Sequence, residues 1–226
     1  MGLLDDLKKQ AEQVKTQQMS DQALREESLR LVEQKMKQSF QYLHELLKQL
    51  AVLKPVNPTL FAMPGIADLK DLQYTESFID YRKTRLHDTE VFDLITFYIR
   101  WGLPGKIVVE RDMPAAAQKA RDALYGAGIK FAEEELKNER RVAVAWRFTA
   151  DSSLVTDVKI KADHRQMRLQ VTAKNLLRLG PDDFIVPAQD VDEPWLEDFA
   201  MTLLGQQGNF RKYRTVVNPL AQGAVR

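Results

Sequence analysis

The sequence contains no cysteine. Thiolate nucleophiles, disulfides and cysteine-based zinc sites are therefore excluded, and acid–base or metal chemistry falls to three histidines and the carboxylates. His44 lies in a leucine-rich helical stretch. His87 and His164 fall in expected turns, each beside an aspartate, Asp88 and Asp163. A neighbouring carboxylate can orient an imidazole, but a general base also needs a nucleophile and a pocket. All three are read as exposed residues. No HExxH, EF-hand loop or GxSxG pattern occurs.

Gly102-Leu103-Pro104-Gly105-Lys106 resembles a phosphate loop only superficially. It lacks the hydroxyl residue after the lysine, and its pattern joins two strands rather than a strand and a helix. Gly126-Ala127-Gly128 follows a helical pattern instead of opening one, so it reads as a helix stop. Glu133-Glu134-Glu135 reads as a solvated strand edge. The sequence nominates no catalytic, cofactor-binding or metal-binding residue, and no cofactor is expected.

Charge placement is more informative. The formal net charge is only +1, so binding of nucleic acid through an overall basic field is not expected. Residues 137–178 nevertheless carry ten Lys/Arg against four Asp/Glu, while residues 179–205 carry seven acids and no base. In the basic stretch, Val158, Ile160 and Ala162 alternate with Lys159 and Lys161. Met167, Leu169, Val171 and Ala173 alternate with Arg168, Gln170, Thr172 and Lys174. One face is then core and the other wet. Lys159, Lys161, Arg168 and Lys174 form a candidate anion-binding face, for lipid headgroups, nucleic acid or an acidic protein. The competing reading is a solvated outer face whose lysines discourage edge pairing, and it is favoured. Nucleic-acid-binding sheets interleave aromatics for stacking, and these two strands have none. The acidic stretch places Asp190, Asp192 and Glu193 at the start of a helix, where carboxylates suit the helix dipole.

The elements that position these residues are read from periodicity. Residues 1–54 contain no proline and a single glycine, Gly2. Leu4, Leu7, Ala11 and Val14 form one apolar series. Leu29, Val32, Met36, Ser39, Leu43, Leu46, Leu50 and Leu53 form a second, with spacings that alternate three and four. That is a heptad seam. The two series differ in register, so a break near Gln17 to Asp21, or one long helix with a stutter, is expected. The seam has two uses: coiled-coil pairing with a partner or a second copy, or packing on the domain that follows.

Lys54-Pro55 ends the helical pattern. Residues 55–72 read as a connecting segment. From residue 73 the period changes to two. Strands are expected over 73–86, 91–101, 106–111, 129–136, 141–149, 154–162 and 166–174, with turns at 87–90 and 102–105. A helix over 114–126 crosses between two of them, and a final helix runs from 192 to 204. Trp101, Trp146, Trp195, Phe92, Phe97, Phe148 and Phe199 are expected to anchor a core or to line a cavity. Residues 206–226 form a basic tail, expected to be mobile beyond Tyr213.

The expected fold is α+β: a long amphipathic helix or helical hairpin over 1–54, a connector over 55–72, a curved, mostly antiparallel α+β domain over 73–205 with one crossover helix and a C-terminal helix, and the tail. The N-terminus lacks a signal pattern and no run is apolar enough to span a bilayer, so a cytoplasmic location is expected, with peripheral contact to anionic membranes a lesser alternative. The expected function is non-catalytic: self-association or capture of a protein partner through the helical N-terminus. Binding of a small apolar or anionic ligand by the curved sheet ranks second, and an enzyme third.

Overall fold

The computed structural model describes residues 3–86, 89–206, 208 and 215–216. Helix α1 runs unbroken from Leu3 to Leu53, 51 residues, or about 77 Å at 1.5 Å per residue. The break considered near Gln17 does not exist. No proline or glycine interrupts this span, and local bonds support it. Thr16 Oγ1 donates to the Glu12 carbonyl at 2.9 Å, and Gln22 Nε2 to Glu26 Oε1 at 3.1 Å.

Lys54 adopts a left-handed φ of 47° and donates its N–H to the Leu50 carbonyl, which closes the helix before Pro55. The connector is more structured than expected. It holds strands β1 (Val56–Asn57), β2 (Phe61–Met63) and β3 (Ala67–Leu69), and β2 and β3 form a small separate hairpin.

The main sheet follows: β4 (Leu72–Leu86), β5 (Thr89–Arg111), β6 (Phe131–Lys137), β7 (Ala143–Asp163), β8 (Arg168–Lys174), β9 (Pro181–Pro187) and β10 (Thr215–Val216), with α2 (Pro114–Ala127) and α3 (Glu193–Leu203). Its order is β1-β4-β5-β7-β8-β9-β10, with β6 paired to β7. Every pairing is antiparallel. The sheet curls into a half-barrel around α1.

Two strands are longer than their sequence suggests. The turn expected at residues 102–105 is a bulge inside β5: pairing to β7 passes from Gly102–Ser153 directly to Lys106–Asp151. The Ser152 hydroxyl holds the bulge by bonding the Leu103 and Gly105 carbonyls at 2.7 and 2.8 Å. Opposite it, the strands expected at 141–149 and 154–162 are one strand, β7. The crossover through α2 joins β5 to β6, which are not neighbours, because β7 lies between them.

Bulges also change which side chains face inward. A register shift between Tyr74 and Glu76 puts Tyr74 on the same face as Ser77, Ile79 and Tyr81. A second shift, at Asp93, brings Phe92 inside, against Phe40 and Tyr81. Simple alternation places both residues on the wrong face.

The core is filled, not hollow. Trp101, Trp195, Phe97, Phe148, Phe184 and Phe199 are fully buried, and Trp195 stacks on Phe199 with centroids 5.3 Å apart. The start of α3 matches expectation: Asp192 Oδ1 accepts from the Trp195 N–H at 2.9 Å, and Pro194 sits in the first turn.

Candidate interaction surface

The apolar seam of α1 supplies the first candidate. Val32, Met36, Leu43, Leu47 and Leu50 are buried among residues of the sheet and α3. Leu29 and Leu46 are half-buried, and Leu53 is 71% exposed. From Val32 to Leu50, then, the companion of the stripe is the chain's own half-barrel. Ser39 explains itself less well. It is fully buried in the seam, and its hydroxyl has no hydrogen-bond partner among the described residues.

Polar bonds fix the point at which α1 enters the sheet. Glu33 Oε2 accepts the Phe92 N–H at 2.6 Å, and His164 Nε2 donates to the Phe92 carbonyl at 2.9 Å. The Ser28 hydroxyl donates to the His164 carbonyl. His164 is therefore half-buried and engaged, not the exposed turn residue its sequence context suggests. Only its contact with a strand distant in sequence reveals this. His87 and Asp88 lie outside the described residues.

N-terminal to Ser28 the helix changes character. Every described side chain between Gln10 and Glu27 is exposed, including Val14, Leu24 and Met19 at 74%. The side chains of Leu4, Leu7 and Ala11 lie outside those described. Residues 3–27 thus extend α1 by about 37 Å beyond the sheet-bound half.

The candidate anion face is thinner than the sequence suggests. Register sets Arg168 opposite Asp163 and Lys174 opposite Asp157. Arg168 Nε bonds Asp163 Oδ2 at 2.9 Å. Lys174 reaches the end of α2, where a side chain at Gly128 would meet its Nζ at 2.9 Å. Lys159 and Lys161 are the exposed pair, with Thr172 and Gln170 across from them.

Other charges are matched locally. Glu133, Glu134 and Glu135 each have a cation: Arg121, Arg147 and Lys137. The Arg121–Glu133 pair is bidentate, with contacts of 2.9 and 2.5 Å. Hydrogen bonding to the guanidinium holds the Glu133 carboxyl below the ordinary glutamate range. On α3, Glu193 and Glu197 face Tyr42 of α1; burial, then these carboxylates, push its phenol upward.

A groove of about 280 Å3 lies between α1 and β4, lined by His44, Leu47, Lys48, Tyr74, Ser77 and Ile79 among others. His44 stacks on Phe40, with ring centroids 5.6 Å apart. No group of three or more His, Asp or Glu side chains is placed to hold a metal among the described residues. No described helix is long and apolar enough to cross a membrane. No family model, curated protein or solved structure matches the chain. Fold class, α+β with a curled antiparallel sheet, is accordingly the level at which the chain is classified.

Proposed function

We propose that the protein is a non-catalytic interaction protein, in which the N-terminal half of α1 is an arm that binds a protein partner or a second copy. The half-barrel anchors the arm and supplies a second binding surface. The observation that supports this reading is the division of α1 at Ser28, with core contacts on one side and only exposed side chains described on the other. Most helical stability in proteins comes from packing an apolar face rather than from propensity. Here the buried half nucleates the helix, and a partner would cover the exposed apolar side chains Val14, Met19 and Leu24, which at spacings of five are spread around the arm, with Val14 in line with the buried seam.

The buried seam residues are not available to that partner without unfolding. Deleting residues 1–54 would remove core along with arm, so a useful test stops short of Ser28. Replacing Val14, Met19 and Leu24 together by glutamate in the full chain is expected to leave the folded signal by circular dichroism unchanged. The mass by light scattering should fall to that of a monomer, or a co-purifying partner should be lost. Wild-type mass and partner content in this variant would refute the arm.

The small-ligand reading rests on less. The aromatic interior is packed, and Lys159 and Lys161 are what remains of the anion face. Binding of the full chain to anionic vesicles that falls with salt and disappears in a Lys159→Ala/Lys161→Ala variant would favour it. A cytoplasmic location is consistent with both readings.

A further inference from the structure

β4 is an edge strand. It pairs with β5 along its length, but on its other side β1 covers only Leu72 and Gln73. From Glu76 to Leu86 its outer backbone has no strand partner among the described residues. Tyr81 shows which groups face outward. Its N–H is taken by its neighbour's carboxylate, Asp80 Oδ1, at 2.8 Å, so Ser77, Ile79 and Tyr81 direct their backbone groups away from β5. Ser77 and Ile79 line the groove beside α1 and are half-buried.

The edge also carries an ordered charge pattern. Glu76 and Asp80 occupy its first half, and Arg82, Lys83 and Arg85 its second. A strand acidic at one end and basic at the other is complementary to an antiparallel copy of itself. The register that uses the whole open segment places Tyr81 on a two-fold axis, because Glu76 then faces Leu86. It keeps outward backbone groups opposite outward groups and sets Asp80 opposite Arg82 twice. Its neighbours on the same face differ in kind: Asp80 has no ion-pair partner among the described residues, while Arg82, 68% exposed, bonds Asp93 through Nε at 2.8 Å.

We infer that β4 is a self-pairing edge, through which a second copy of this chain extends the sheet across a two-fold axis. This goes beyond the arm reading and does not depend on it. In the single chain, Asp80 blunts the edge by occupying the Tyr81 N–H. In the pair, that N–H passes to the other chain's Tyr81 carbonyl, and Asp80 is released to the other chain's Arg82. A slip of register breaks both Asp80–Arg82 pairs, and the slip that sets Glu76 opposite Arg82 instead, centred on Ile79, runs into Leu72 and Gln73, which β1 already covers.

The test is light scattering of the full chain over a concentration series, with Asp80→Arg and Arg82→Asp made singly. Both positions are exposed, and folding is checked by circular dichroism. The wild type is expected to dimerise. Each single variant should do so about tenfold or more weakly, because like charges meet twice across the axis. An equimolar mixture of the two variants should restore a dimer, since every acid again faces a base. Amide exchange over Ser77–Thr84 should slow with rising wild-type concentration.

A monomeric wild type at its highest soluble concentration, single variants that dimerise normally, or a mixture that stays monomeric would each overturn the inference. The arm variant separates the two readings. A dimer lost in the arm variant but indifferent to Asp80 and Arg82 leaves the arm and removes the edge; the reverse leaves the edge and removes the arm.

Discussion

Asn175 shows how much one buried side chain can organise. It is 1% exposed and holds a left-handed φ of 55°. Its amide donates to the Ala127 carbonyl at the end of α2 and to the Val155 carbonyl in β7, both at 3.0 Å, and accepts the Gly180 N–H at 3.0 Å. Its own carbonyl receives the Thr156 hydroxyl, which in turn accepts from the Trp101 indole at 3.2 Å. Asparagine tolerates the left-handed conformation, and its amide satisfies both donors and an acceptor here. Asn175→Ala removes the partner of the buried Ala127 carbonyl and of the half-buried Val155 carbonyl and Gly180 N–H, and keeps the strained dihedral. It should cost about 3 kcal/mol or more in urea unfolding. Gly205 is under a comparable constraint: at φ 68° its Cβ position lies 2.1 Å from Asn57 Oδ1, whose amide bonds the Leu203 carbonyl.

At the scale of elements, α2 is fastened to the sheet by Arg121 and Glu133. The glutamate's depressed titration means that the folded state holds its proton less well than the unfolded chain. Its contribution is present above the unfolded pKa and is lost as pH falls through the lower, folded one. Glu133→Gln should therefore be slightly less stable than wild type at neutral pH, with the gap closing in acid when both are melted across a pH series. Both partners are about a quarter exposed, so solvent screening keeps the effect small.

Much at this scale was legible in the residues. The helical span Leu3–Leu53, Pro114 in the first turn of α2 and the acidic start of α3 at Asp192 and Glu193 all carry local signatures. What was not legible depends on distant partners. Gly102-Leu103-Pro104-Gly105 has turn composition, and only the ladder with β7 keeps it within a strand. Tyr74 and Phe92 take the inner face because of bulges that alternation does not encode. β9, with two prolines at its ends and two aspartates, is polar enough to pass for a loop, and β8 makes it a strand. The candidate surfaces divide the same way. The basic stripe was visible, but the acids opposite Arg168 and Lys174 come from register, and so does the open edge of β4. The expected mobility of the tail concerns residues outside those described, apart from Gln206, Gly208 and β10.

For the whole molecule, the decisive relation is between α1 and the half-barrel. Met36 is fully buried where the helix meets the sheet. Met36→Asp places an unpaired carboxylate in that core and should cost about 4 kcal/mol or more, seen as cooperative loss of the whole fold on thermal melting. If the same substitution yielded a folded monomer, the seam would be an interface instead. The core placement of α1 also governs the order of events on the ribosome. Ser28 bonds a residue 136 positions later, and the connector just after α1 is latched by Asn57 to a carbonyl 146 positions downstream. α1 therefore finds its permanent seat only when α3, far downstream, has emerged. Until α3 follows, the seam from Val32 to Leu50 lacks the surface that buries it, which leaves a nascent chain open to association with others.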